Sequence, residues 1–343
     1  MAWASLRSRR LRHYVQLRGA LGFGVKPCFS DSTSTFERQR LSMKSITSVV
    51  AFFFGSLGLA LAAGTTPCFA QTDIHFHTVT GPMEAHIGGL AGHSSDGKTL
   101  YRRFCVGCHG ASGDGNGENA IWFDPTLGFA KPRDFTLGVF KCRSTPTGAL
   151  PTDEDLFDAV TRGFVTTNMP EWRSLTNQER ANLVAFVKTF STRWQTDKAG
   201  TPIAIPPEPP AKIESILHGR ELFQKMECWK CHGSEGRGDG PSAATLTDSK
   251  GNPIRPYDFT TGERFKCGVS NHDLYRIFMT GLDGTPMPSF ADNIKPEEAW
   301  DLVHFLRTLQ VSIKTPELGT FRQWVSAHPG QLKPIGQEAP PGK

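Results

Sequence analysis

The pentapeptide Cys105-Val-Gly-Cys108-His109 returns at Cys228-Trp-Lys-Cys231-His232. Cys-x-x-Cys-His is the attachment signal for c-type haem. Each cysteine sulfur adds to a porphyrin vinyl group, and the adjoining imidazole ligates the iron. Two intervening residues let both sulfurs reach one ring edge from a single short turn. A lone Cys-x-x-Cys also fits a zinc half-site or a redox pair. Two copies, each continuing His-Gly, favour haem. The expected cofactors are two haem c groups, held covalently by Cys105, Cys108, Cys228 and Cys231, with His109 and His232 on the irons.

The pentapeptides head two similar units in this 343-residue chain, and retained order of features is the mark of a duplication. Gly97-Lys-Thr-Leu100-Tyr101 precedes the first and Gly219-Arg-Glu-Leu222-Phe223 the second, each fitting an amphipathic helix. His109-Gly-Ala-Ser-Gly-Asp-Gly is answered by His232-Gly-Ser-Glu-Gly-Arg-Gly. Lys131-Pro-Arg-Asp134-Phe135-Thr136 is answered by Arg255-Pro-Tyr-Asp258-Phe259-Thr260, and Phe140-Lys141-Cys142 by Phe265-Lys266-Cys267. The run Gly113-Asp-Gly-Asn-Gly lacks the Gly-Lys-Ser/Thr ending of a phosphate loop and reads as a tight turn that uses glycine for positive φ.

Helices are expected again late in each unit. Thr152-Asp-Glu-Asp reads as a capped start with acids in the first turn, and Asn271 to Phe278 is its counterpart. Closing helices run from Thr176 to Phe190 and from Lys295 to Leu309, with apolar stripes at helical spacing that read as core. Pro202 to Pro210 holds five prolines in nine residues, a semi-rigid polyproline spacer. Expected boundaries are a presequence at 1–70, an N-terminal arm at 71–94, a first domain at 95–195, a linker at 196–214, a second domain at 215–312 and a tail at 313–343. The arm carries His75, His77, His86 and His93 at no standard metal spacing and reads as extended with solvated histidines.

An electron-carrier haem takes two axial ligands, and methionine opposite histidine raises the potential. Each unit supplies one methionine between its last two helices, at Asn168-Met169-Pro170 and Pro286-Met287-Pro288. Proline pushes the preceding residue into an extended conformation, so the thioether can project from a loop. Met169 and Met287 are the expected sixth ligands. Met279, His218, His272 and His304 are substitutes without a counterpart in the first unit.

This arrangement resembles the class I cytochrome c family over residues 95–195 and 215–312, and the pairing resembles dihaem cytochromes of the c4 type. The resemblance implies a mostly α fold: two tandem class I cytochrome c domains, each a small helical bundle around one covalent haem, with long loops. The stretch from Lys131 to Trp172 also looks like cytochrome subunits that accompany respiratory oxidoreductases. The implied function is a periplasmic dihaem electron carrier working between a redox donor and acceptor, or a subunit of a larger respiratory oxidoreductase. The competing enzyme class is a dihaem peroxidase, which needs one iron with a displaceable sixth ligand.

The formal charge of +5 conceals an asymmetry. Residues 1–70 hold nine Lys/Arg and two Asp/Glu, which leaves 29 basic against 31 acidic residues, a net of −2. This excludes a nucleic-acid binder. Lys44, the apolar run Ile46 to Ala63 and Cys68-Phe69-Ala70 read as a secretory signal cleaved after Ala70; either Met43 is the start or the Arg-rich residues 1–42 leave with the signal, an organellar presequence being the other reading. A retained membrane anchor facing the periplasm is the alternative. Export agrees with the resemblance, because bacterial c-type haem is attached outside the cytoplasm.

Loss of residues 1–70 leaves six cysteines, four of them for haem. Cys142 and Cys267 occupy equivalent repeat positions in an oxidising compartment. If the units pack about a pseudo-twofold axis, the two can meet as an interdomain disulfide. Two separate buried thiols, or a thiolate on iron, are the other readings.

Overall fold

The computed structural model describes residues 74–336, apart from 128, 165–166 and 263–264. The expected presequence at 1–70, with Met43 and the run from Ile46 to Ala63, lies outside the described residues. Among the described residues no helix is long and apolar enough to cross a membrane.

The fold is mostly helical and repeats itself. Strands β1 (Glu84–Ile87) and β2 (Leu90–His93) lead into α1 (Ser94–Phe104) and the single turn α2 (Val106–His109). Then follow α3 (Asp153–Arg162), α4 (Asn177–Lys188) and the short α5 (Arg193–Thr196). The second lobe repeats the plan with α6 (Ile213–Lys225), α7 (Trp229–His232), α8 (Asn271–Thr280) and α9 (Pro296–Leu309), and α10 (Pro316–Ala327) follows. Local chemistry sets the starts. Thr152, Thr176 and Ser270 each form a reciprocal capping box, with Asp155, Glu179 and Asp273 respectively, and Pro296 fills the first turn of α9, where no amide donor is needed.

Each lobe is organised by its first helix crossing its last. The α1 helix lies against α4 and α6 against α9. At the crossing a glycine backs onto the partner's backbone: a Cβ on Gly97 would collide with the Asn182 carbonyl, and one on Gly219 with the Asp301 carbonyl. One turn on, Tyr101 packs on Phe186 at 5.1 Å between ring centres and Phe223 on Phe305 at 5.4 Å. Both positions are fully buried. The glycines bring two backbones close enough for these rings to reach each other.

The segment expected to be an extended arm differs from expectation over residues 84–93. Here β1 and β2 pair antiparallel, Glu84 opposite His93, around Gly88 and Gly89. Both glycines take positive φ, as tight two-residue hairpins require. Ala85 and Ile87 are buried. The Asn182 carboxamide oxygen accepts the His93 amide at 2.9 Å, and Lys188 donates to the Glu84 carbonyl at 2.7 Å while pairing with Asp153 at 2.8 Å. The alternation is too short to signal a strand, and the surfaces of α4 and α3, where Asp153 accepts the His86 amide at 2.9 Å, make it worth forming. His75, His77, His86 and His93 are all exposed.

The proline-rich segment has no helix but touches both lobes. The Ile203 amide donates to the Ser144 carbonyl at 2.8 Å in the first lobe, while Ile203 and Ile205 pack on the core of the second. Phe321 of α10 and Ile335 pack on that same core, and the Gly336 amide donates to Gln224 at 2.7 Å. Gly219→Ala should destabilise the second lobe by about 1–3 kcal/mol through overpacking of the crossing; urea unfolding followed by near-ultraviolet circular dichroism checks this.

Candidate functional site

Two cavities open beside the two Cys-x-x-Cys-His turns. The first, about 380 Å³, is lined by Cys105, Cys108, His109 and Met169 among others. The second, about 870 Å³, is lined by Cys228, Cys231, His232 and Met287. All eight residues expected from the sequence are thus brought to two matching places. Met279, His218, His272 and His304 line neither cavity. His218 instead pairs with Asp301 at 2.7 Å, His272 packs edge-on to Trp300, and His304 is buried against Ser215 at 2.6 Å.

Each histidine is oriented by the segment that carries the Asp-Phe-Thr repeat. His109 Nδ1 lies 3.0 Å from the Arg133 carbonyl and His232 Nδ1 lies 3.1 Å from the Tyr257 carbonyl. A carbonyl only accepts, so Nδ1 carries the proton and Nε2 keeps its lone pair. Phe135 stacks on His109 at 4.4 Å and Phe259 on His232 at 4.7 Å. Asp134 and Asp258 each accept from the amide and hydroxyl of the threonine two residues on, at 2.6–2.8 Å, which shapes the loop. The glycine run docks it, since the Phe135 amide donates to the Gly113 carbonyl and the Phe259 amide to the Gly236 carbonyl, both at 2.7 Å. Burial holds His109 neutral, with its pKa lowered to about 4, and lowers that of His232 in the same way.

The methionine turns are alike. The Phe164 amide donates to the Met169 carbonyl, and the Leu282 amide to the Met287 carbonyl, each at 3.0 Å. The Met169 amide donates to the Thr167 hydroxyl and the Met287 amide to the Thr285 hydroxyl, each at 3.2 Å. The proline that follows each methionine thus finishes a closed six-residue turn.

Burial pushes the Cys105 and Cys228 thiols up to about 12, and those of Cys108 and Cys231 in the same direction. A redox pair needs one thiol pKa lowered instead. No group of three or more His, Cys, Asp or Glu suited to a metal ion occurs among the described residues.

Cations that the sequence did not single out complete the site. Lys141 and Lys266, at equivalent repeat positions, line both cavities, and Arg133 lines the first. No carboxylate lies within ion-pair distance of them among the described residues, although Asp248 and Asp134 act favourably on Arg133, and Asp248 on Lys141, from farther away. Desolvation, then the charges of Arg133 and Lys266, lower the pKa of Lys141 to about 7. Lys266 and Arg133 are lowered chiefly by desolvation. Trp172 also lines the first cavity, with its buried indole N–H unpartnered. Three desolvated cations beside an apolar cavity favour a further anion, and the carboxylate groups of haem would provide one. The donor set therefore fits haem: two thiols, a neutral imidazole, a thioether and desolvated cations. Matching Lys141 with Lys266 in the repeat was the available signal.

Cys142 and Cys267 are joined by a disulfide with Cα atoms 5.1 Å apart. The bridge lies between the cavities, Cys142 lining one and Cys267 the other.

Fold and site together define a class of small helical domains built to hold a covalent haem. A family model described as "Cytochrome c" matches residues 216–310, and one described as "Cytochrome C oxidase, cbb3-type, subunit III" matches residues 93–187. Among solved structures, the chain is similar to one from the Kuenenia stuttgartiensis reducing HAO-like protein complex, at 43% identity and a TM-score of 0.59. The match covers 62% of this chain and 95% of that one. No curated protein matches. The chain belongs to the cytochrome c family, as two class I domains in tandem. Cytochrome c domains bind haem c and transfer electrons.

Replacing both Cys142 and Cys267 with serine should lower stability by roughly 2–5 kcal/mol, because the bridge closes a long loop. Denaturation of the wild type with and without reductant should reproduce the difference.

Proposed function

We propose that this chain is an exported, periplasmic electron-transfer protein with two six-coordinate haems, His109 and Met169 serving one and His232 and Met287 the other. Haem c supplies reversible one-electron chemistry at iron. The observation that carries the reading is the recurrence of the same four side chains around each cavity. The chain's own part is positional. Cys105, Cys108, Cys228 and Cys231 tether the groups. The Arg133 and Tyr257 carbonyls hold His109 and His232 with Nε2 free for iron. Arg133, Lys141 and Lys266 would supply the charge for the haem carboxylates, and two haems in one chain would let an electron enter through one lobe and leave through the other.

The likeness of the two methionine turns supports a carrier over a peroxidase, which would leave one iron open. The disulfide supports an oxidising compartment. Similarity to a chain from a protein complex supports a fixed place in a larger oxidoreductase, with redox proteins as donor and acceptor.

Mass analysis of the purified protein should find two haems per chain. Absorption spectra should show two low-spin haems with the weak ferric methionine–iron band at the red end. Met169→Ala should remove that band from one haem only, and unchanged spectra would reject the ligand assignment.

A further inference from the structure

The two methionine turns share internal hydrogen bonds, and the Met287 turn is also gripped by the first lobe. Arg143 follows the bridging Cys142, and its side chain is wholly buried. Its guanidinium donates to the Phe140 and Pro146 carbonyls of its own lobe, both at 3.2 Å. It also reaches the other lobe, donating through Nη2 to the Thr280 carbonyl at 2.5 Å and to Asp283 Oδ1 at 2.7 Å. Asp283 lies four residues before Met287, inside its turn. The Thr147 hydroxyl donates to Asp283 Oδ1 at 2.7 Å, and the Gly148 amide to Oδ2 at 2.9 Å. Both carboxylate oxygens of Asp283 are thus held by the first lobe.

The residues of this grip are not repeated in the sequence. In the aligned repeat Val165 stands where the second lobe has Asp283, and Gly268 stands where the first has Arg143. Neither half of the pair exists for the Met169 turn. Thr280 closes α8 immediately before the turn, so Arg143 holds the entrance of the Met287 turn by the Thr280 carbonyl and its apex by Asp283. Removing one partner of a buried, hydrogen-bonded ion pair is strongly destabilising locally, because the other charge is left uncompensated.

We propose that Arg143 and Asp283 are positioning residues for the sixth ligand of the second lobe alone: the first lobe keeps Met287 seated, and loosening the interface opens that iron to small external ligands. The proposal rests on Met287 being the axial ligand. It makes the irons unequal in a way their identical turn geometry conceals.

The test uses the haem-loaded full chain, with carbon monoxide on the ferrous protein as probe. Wild type should be inert to the gas and show both ferric methionine bands. Asp283→Asn should lose about half of that band, from one of two haems, and bind one carbon monoxide per chain. The potential of that haem should fall while the other is unmoved. Thr147→Val, at an exposed position that removes one bond to Asp283, should show a smaller reactive fraction even if Asp283→Asn folds poorly. Asp283→Glu, which keeps the charge, should recover part of the band. Both bands persisting in Asp283→Asn and Thr147→Val would overturn the proposal, as would equal loss from both haems. A wild type lacking the band for the second haem would instead remove the ligand assignment itself.

Discussion

Each lobe rests on two helix backbones meeting at a glycine. With Gly97 against Asn182 and Gly219 against Asp301, the first and last helices approach closely enough for Tyr101 and Phe223 to fill the crossing. The haem-attachment turn follows the first helix of each lobe directly, and the Cys105 amide still donates to the Tyr101 carbonyl at 2.9 Å. The direction of the attachment turn is therefore set by the crossing. Tyr101 strengthens the link, because its hydroxyl donates to the Gly110 carbonyl at 2.9 Å, just beyond His109.

From that anchor each cavity is built by short backbone-directed contacts. A carbonyl fixes the tautomer of the histidine, an aromatic ring fixes its plane, and an aspartate–threonine turn fixes the loop that bears both. Burial keeps the imidazole neutral, and the same burial desolvates Arg133, Lys141 and Lys266. An anionic cofactor would supply a counter-charge there.

Among the described residues the lobes are joined by directional contacts that include the disulfide, the Arg143–Asp283 grip and the Lys250–Asp134 pair. The interface is asymmetric although the lobes are repeats. Duplication copies the haem machinery, and sequence divergence then sits where the copies face each other and no longer face equivalent surroundings. Arg143 opposite Gly268 in the alignment, and Asp283 opposite Val165, are that divergence.

What the sequence determined by itself was whatever is local in the chain. The pentapeptides hold their cysteines and histidine within one turn, Thr152, Thr176 and Ser270 cap helices from three residues away, and apolar spacing marks α4 and α9 as core. The tandem helical fold follows from these because each is an interaction over a few residues, copied twice. Tertiary structure alone decided the rest. The hairpin at 84–93 forms because α4 and α3 offer it a surface, and the polyproline segment lies against both lobes. Lys141 reads as an ordinary surface lysine until a second cavity is folded against it. Asp283 reads as a turn residue until Arg143 arrives across 140 residues of chain. Desolvation and charge compensation depend on neighbours distant in sequence, and no spacing rule reports them.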